Sequence, residues 1–171
     1  MHDGYIFTLG ICGSTMASGP APASLDLMLA ALAPVKRAAY FGEVLISTDL
    51  PSLDDPLTTP VLNDIADADV LLITTPLPGG KLPARMHALV RQIEQATPVD
   101  RRRFAVIVAF TDGTTEGLWP LRHALDAAAI EVLSELYAPA EADLDELTPE
   151  LTSLAHMVYE RAHALHPEAL T

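Results

Sequence analysis

Phe7-Thr8-Leu9-Gly10-Ile11-Cys12-Gly13-Ser14 decides how this chain is read: an apolar run of strand length passes into small residues and, after Pro22, into a helix. Backbone N–H groups of such a loop and the positive end of the helix dipole face one point, so this order of elements makes an anion site. Outward from it, apolar runs alternate with stretches of helical period, the signature of a parallel sheet covered by helices. The strand candidates are Ile6 to Cys12, Ala38 to Ile46, Val70 to Thr74, Phe104 to Phe110 and Glu131 to Tyr137. The first, third and fourth are almost continuously apolar, which suits burial on both faces. The second and fifth are mixed and belong nearer the sheet edges.

Helices are expected over Ser24 to Leu32, Pro60 to Ile65, Pro83 to Ala96, Leu118 to Ala129 and Pro149 to Leu165. Leu82, Met86, Leu89, Val90 and Ile93 recur at spacings of three and four, one apolar stripe for the sheet. Thr148-Pro149-Glu150 reads as the N-cap, first-turn proline and first-turn acid of the last helix. Glu141 to Glu146 reads as an acidic connection, and Pro51 to Pro60 as a proline-rich surface loop. Five strand–helix units with right-handed crossovers give an open, doubly wound sheet of order 2-1-3-4-5 or a Rossmann-like variant. Ligands then bind beyond the carboxyl ends of the strands, where Gly13 to Ala23, Thr75 to Pro83 and Thr111 to Gly117 share a Gly, Ser, Thr and Pro composition.

Composition narrows the functional classes. The chain has 171 residues, 50% of them apolar, enough for one domain (residues 1–171) with a real core. A net charge of −13 leaves no cationic surplus for nucleic acid or for an anionic membrane surface. No apolar run approaches the roughly 20 residues of a membrane-spanning helix. Cys12 is the single cysteine, and the N-terminus lacks a basic segment followed by a long apolar run, so a cytoplasmic protein is expected.

Several other chemistries fail on residue type. A phosphatase-like use of Cys12 needs an arginine six positions on, where Ser18 stands, so Cys12 reads as a small buried hydrophobe. A phosphorelay receiver needs acids where Gly13-Ser14 and Thr74-Thr75 stand. His156, His163 and His166 are spaced to share a helix face, but no carboxylate pair or cysteine completes a metal set, and no metal site is expected. Arg101-Arg102-Arg103 precede the fourth strand and read as a solvated turn at the opposite end of the sheet. Lys81, Arg85 and Arg122 fall on the ligand side.

At its three loops the chain resembles the NADPH-dependent FMN reductase family of flavodoxin-like proteins. That family carries a Gly-Ser loop after the first strand and a Thr-Pro-Glu-Tyr-Asn-Gly-Ser-like loop, continuing through Ile-Pro-Gly into a helix, after the third. Thr75-Pro76-Leu77-Pro78-Gly79-Gly80-Lys81-Leu82-Pro83 aligns with it without a gap, keeping Thr75, Pro76, Gly80 and Pro83. Asp67-Ala68-Asp69-Val70 resembles the family's Ala-Asp lead-in, and the order of elements is similar over nearly the whole chain. The first loop departs from the family: it has neither the usual arginine nor the Ser-x-Asn signature, whose nearest remnant is Ser24-Leu25-Asp26. Pro78 and Gly79 stand where the family has Tyr and Asn.

The resemblance implies a flavodoxin-like three-layer sandwich, an α/β fold with a five-stranded parallel sheet of order 2-1-3-4-5 and helices on both faces. It implies FMN as cofactor, with hydride taken from NADPH or NADH and passed to free flavin, a quinone or another small-molecule acceptor. It also implies a homodimer or homotetramer. The FMN phosphate falls to Gly13, Ser14, Met16, Ser18 and Ser24. The ring falls to Pro76, Leu77, Pro78, Gly79 and Gly80 on one edge and to Thr111, Asp112 and Gly113 on the other. No side-chain acid or base is implied, because the ring itself accepts hydride. Lys81, Arg85 and Arg122 are the candidates for steering the nicotinamide cofactor, and Trp119 covers the ring, packs across a dimer contact or lies in the core. The absent Arg, Tyr and Asn leave a competing reading: a flavodoxin-like module that has lost flavin and binds another ligand or a protein.

Overall fold

Strands and helices alternate along the chain as β1 (Ile6–Cys12), α1 (Pro20–Leu32), β2 (Ala39–Leu45), α2 (Thr58–Asp67), β3 (Val70–Pro76), α3 (Ala84–Gln95), β4 (Arg103–Phe110), α4 (Trp119–Ala127), β5 (Ile130–Ala138) and α5 (Leu144–His163). The computed structural model describes residues 6–14, 16, 18–34, 39–45, 58–95 and 99–165, with backbone alone for 39–45, 58–62 and 95. The expectations for Pro51 to Leu57, for the ends of the second strand at Ala38 and Ile46, and for His166 lie outside the described residues. All strand pairings are parallel, in the order β2-β1-β3-β4-β5. Side chains are described for four of these strands, β1, β3, β4 and β5.

Alternate side chains of β1, β3 and β4 enter two apolar cores, one on each face of the sheet. Leu9, Ile73 and Ile107 meet Met86 and Leu89 of α3 and Leu121 of α4. Val70, Leu72 and Val106 meet Leu25 and Met28 of α1 and Val158 of α5. Burial on both faces explains why these strands carry no polar alternation. Leu82, Met86, Leu89, Val90 and Ile93 are all buried, so the stripe expected on the third helix does face the sheet.

Most element boundaries shift by a residue or two from the sequence expectation, α2 is already under way at Thr58 inside the expected proline-rich loop, and three extensions have a local reason. Helix α1 begins at Pro20 rather than Ser24, because Pro20 stands where its fixed φ and missing N–H cost nothing. Helix α5 begins at Leu144, capped by the Asp143 carboxylate, which accepts the Asp145 N–H at 2.9 Å. Asp145 and Glu146 then occupy the first turn, where the dipole favours them, while the Thr148 hydroxyl donates to the Leu144 carbonyl and Pro149 sits inside the helix. Strand β3 continues through Thr75 and Pro76, its end held by the Leu77 N–H on the Phe110 carbonyl at 2.8 Å.

The arginine run is a clamp rather than a solvated turn. Buried Arg103 donates to the carbonyls of Ile65, Ala66 and Ala128, the orphan acceptors at the ends of α2 and α4. Burial pushes its guanidinium down to about 10, still charged at neutral pH. Arg101 donates to the Ala66 and Ala68 carbonyls and lies 3.7 Å from Asp69, while exposed Arg102 pairs with Glu131 at 3.0 Å.

Candidate functional site

Strand β1 ends at Cys12, opposite Thr74, whereas β3 and β4 run on to Pro76 and Phe110. A notch therefore opens above the tip of β1, bounded by the longer β3 beside it and β4 beyond. Cys12 itself is fully buried beneath it. The Thr74 hydroxyl donates to the Ala21 carbonyl at 2.8 Å, pinning the start of α1 over the sheet. Gly13 donates to the Thr74 carbonyl at 2.8 Å, and a methyl group there would lie 2.5 Å from Thr75 Oγ1 and 2.6 Å from Met86 Cγ. Only glycine lets the loop cross so close to β3 and α3.

The notch holds a cavity of about 840 Å³, within the range of cofactor pockets. Gly13, Ser14, Met16 and Ser18 line it from the first loop, continuing into Gly19, Pro20, Ala21 and Pro22 at the start of α1. Pro76, Leu77, Pro78 and Gly79 form a second wall, Asp112 and Gly113 a third. Three expected residues do not line it. Ser24 is fully buried in α1, one turn too far along the helix. The Thr111 hydroxyl accepts the Gly113 N–H at 3.0 Å and only shapes the turn. Gly80 lies buried against Thr114 and Gly117, its N–H donated to the Leu77 carbonyl at 2.9 Å.

Pro83 and Thr114, within two of the three expected loops, also line the cavity, as do Phe110 and Ala140, which lie outside them. Proline at the first helical position was a usable signal for the Pro20–Pro22 turn. Nothing local marks Phe110 or Ala140, which arrive through strand register and through the β5–α5 connection.

The hydrogen-bonding capacity is specific. Pro20 and Pro22 have no N–H, so the first turn of α1 offers the amides of Gly19 and Ala21; with that of Ser18 they have no acceptor among the described residues. Ser14 Oγ accepts the Met16 N–H at 3.1 Å and keeps its own proton to donate. In the β3–α3 loop the amides of Leu77, Gly80 and Lys81 are spent on backbone carbonyls and Pro78 has none. Gly79, with a φ of 61°, has an amide with no acceptor among the described residues, and of the loop's remaining amides it is the one in the cavity lining.

Charge is sparse. Asp112 is the charged side chain of the lining, and its carboxylate accepts the Ala140 N–H at 3.0 Å. The three cations expected to steer a cofactor are placed otherwise. Lys81 is exposed outside the wall. Arg122 points to β5, where it holds Glu135 through two bonds of 2.6 Å and also donates to the Tyr137 hydroxyl. Arg85 is buried beneath the first loop, its Nη1 donating to the Ser14 carbonyl. Trp119, 63% exposed and stacked on His123 at 5.1 Å, belongs neither to the core nor to the lining. His156 is engaged with the Ala31 carbonyl at 2.9 Å.

Donors gathered at the positive end of α1 beside apolar walls of Met16, Pro76, Leu77, Pro78 and Phe110 match a ligand with one anionic end and one flat apolar end. FMN, the group implied by the resemblance, fits this donor set.

No family model and no curated protein matches the chain. Solved structures do. A flavone reductase superposes with a TM-score of 0.75 at 14% identity, over 94% of this chain and 64% of the other, so the chain spans about two thirds of that structure's length. An apo NADH:FMN oxidoreductase superposes at 0.71 and 13% identity, over 90% and 88% of the two chains. A flavodoxin from Streptococcus pneumonia TIGR4 superposes at 0.63 and 14% identity, over 91% and 99%. The fold is flavodoxin-like. The flavodoxin-like sheet places the cavity beyond the carboxyl ends of its strands.

Proposed function

We propose that this flavodoxin-like chain binds FMN and passes hydride from NADPH or NADH through it to a small acceptor such as free flavin or a quinone. The observation that carries the reading is the convergence of three separate loops on one cavity with free amides at one end and apolar walls at the other. In this reading the phosphate takes the amides of Ser18, Gly19 and Ala21 and the hydroxyls of Ser14 and Ser18. The ring lies against Pro76, Leu77 and Pro78, with the Gly79 amide reaching its polar edge and Asp112-Gly113 closing the far side. Bound FMN supplies the atom that takes and releases hydride. With FMN bound, the walls would orient the ring and Met16 and Phe110 would help exclude water from it.

Titration of the apoprotein with FMN, read by quenching of flavin fluorescence, tests the site. Saturable quenching, and NADPH or NADH oxidation that depends on FMN, are the expected results; a protein indifferent to excess FMN sinks the reading. One observation favours the rival, a module without flavin: Pro20 and Pro22 remove two of the amides that a helix N-terminus ordinarily offers. The same titration separates the two. A homodimer or homotetramer in the cytoplasm completes the proposal, with exposed Trp119 as an apolar contact, and light scattering on the purified chain checks the assembly.

A further inference from the structure

Arg85, on the first turn of α3, is 7% exposed, and beyond its bond to the Ser14 carbonyl its Nε is buried without a hydrogen-bond partner among the described residues. The ion pairs among the described residues join Arg101 to Asp69, Arg102 to Glu131 and Arg122 to Glu135, and none reaches Arg85. A buried guanidinium carries a desolvation cost; Arg103 offsets it with three backbone carbonyls, whereas Arg85 has the Ser14 carbonyl alone among the described residues, so an anion nearby would stabilise it further. The residue whose carbonyl it holds, Ser14, lines the cavity with Ser18, Gly19 and Ala21, whose amides have no acceptor among the described residues.

We infer that Arg85 is the charge-compensating and loop-positioning residue of a phosphomonoester subsite at Ser14–Ala21, supplied from α3 in place of the first-loop arginine that this chain lacks. The inference rests on the proposed FMN site and concerns the phosphate end of that ligand. Arg85 acts in two ways. Its bond engages the Ser14 carbonyl dipole, which is then not free to face the phosphate. Its charge, one loop layer away and shielded from water, offsets the dianion where Pro20 and Pro22 have removed amide donors.

The test compares FMN with riboflavin, which has the same ring and no phosphate, on apoprotein carrying Arg85→Met or Arg85→Gln; both remove the charge and the Nη1 bond to Ser14, and Gln keeps a polar end near the position of Nε. Both variants are expected to weaken FMN roughly tenfold or more and riboflavin less than roughly threefold. Inorganic phosphate is expected to raise the Tm of the wild type and of neither variant. Equal losses for the two flavins, or a phosphate-induced Tm shift that survives in the variants, overturn the inference. A wild type that binds neither flavin, yet is stabilised by phosphate through Arg85, sinks the flavin reading and leaves the subsite standing. A wild type that binds both flavins equally well does the reverse. Should Arg85→Met fail to fold, Arg85→Gln carries the same comparison.

Discussion

Gly117 has no room for a side chain: a methyl group there would sit 2.0 Å from the Gly80 carbonyl oxygen, and backbone cannot swing aside as a side chain can. The turn before α4 therefore presses directly on the β3–α3 loop, and the position of the Gly79 amide depends on that contact. Gly117→Ala is expected to cost about 1–3 kcal/mol in urea unfolding and to weaken FMN binding by displacing Gly79. Full stability with unchanged affinity would show that the loop is not held here. Asp112 poses a different question, because its carboxylate both braces the Ala140 amide and places negative charge in the wall. Asp112→Asn keeps an acceptor for that amide and removes the charge, so FMN is expected to bind roughly two- to fivefold more tightly, and riboflavin unchanged, in the same fluorescence titration. Sequence alone offered Gly13, Ser14, Gly79 and Asp112 to the site by their type. It offered Ser24 and Gly80 on the same grounds, and only packing turned those two away from the cavity.

Among the elements, β5 pairs on one side only and manages its polar face with side chains from α4. Glu135 accepts two hydrogen bonds from Arg122 and one from the Tyr137 hydroxyl, and the Arg122 bond holds its carboxyl below the ordinary carboxylate range. A carboxyl depressed in the folded state contributes stability above its unfolded value near 4.5, and that contribution disappears as pH falls through the lower folded value. Glu135→Gln is therefore expected to cost about 1 kcal/mol at neutral pH, with the difference from wild type shrinking as pH falls below the ordinary carboxylate range. Chemical denaturation at a series of pH values reads this directly, and a difference independent of pH contradicts it. The arrangement was not legible beforehand, since Arg122 and Glu135 stand 13 positions apart and meet only when α4 folds back on β5. Helix starts were legible in part. Leu82 to Ile93 announced α3 by period, whereas the start of α5 went to Asp143 because two rival caps, Asp143 and Thr148, lie within one stretch and the first-turn acids decide between them.

For the molecule as a whole, a net charge of −13 opposes the approach of a phosphorylated ligand even though the subsite welcomes it. Association of FMN is accordingly expected to speed up as ionic strength rises from about 0.01 M to about 0.15 M, because salt screens long-range repulsion more than contacts inside the cavity. Stopped-flow fluorescence measures it, and a rate that falls with salt would point to local steering by a cationic rim instead. Strand and helix order is a property of short stretches: Phe7 to Cys12, Val70 to Thr74 and Phe104 to Phe110 are apolar on both faces, and that pattern by itself called for a buried parallel sheet with loops at its carboxyl end. Convergence of those loops follows from strand adjacency, which local sequence bounds to a few topologies. What only the tertiary structure decided is which polar groups stay free. Register carries Phe110 and Ala140 into the wall, two prolines leave the amides of Gly19 and Ala21 in the first turn of α1, and Arg85 reaches Ser14 across 71 positions of chain. Hydrogen-bond partners so far apart are set by packing, and no window of neighbouring residues contains that information.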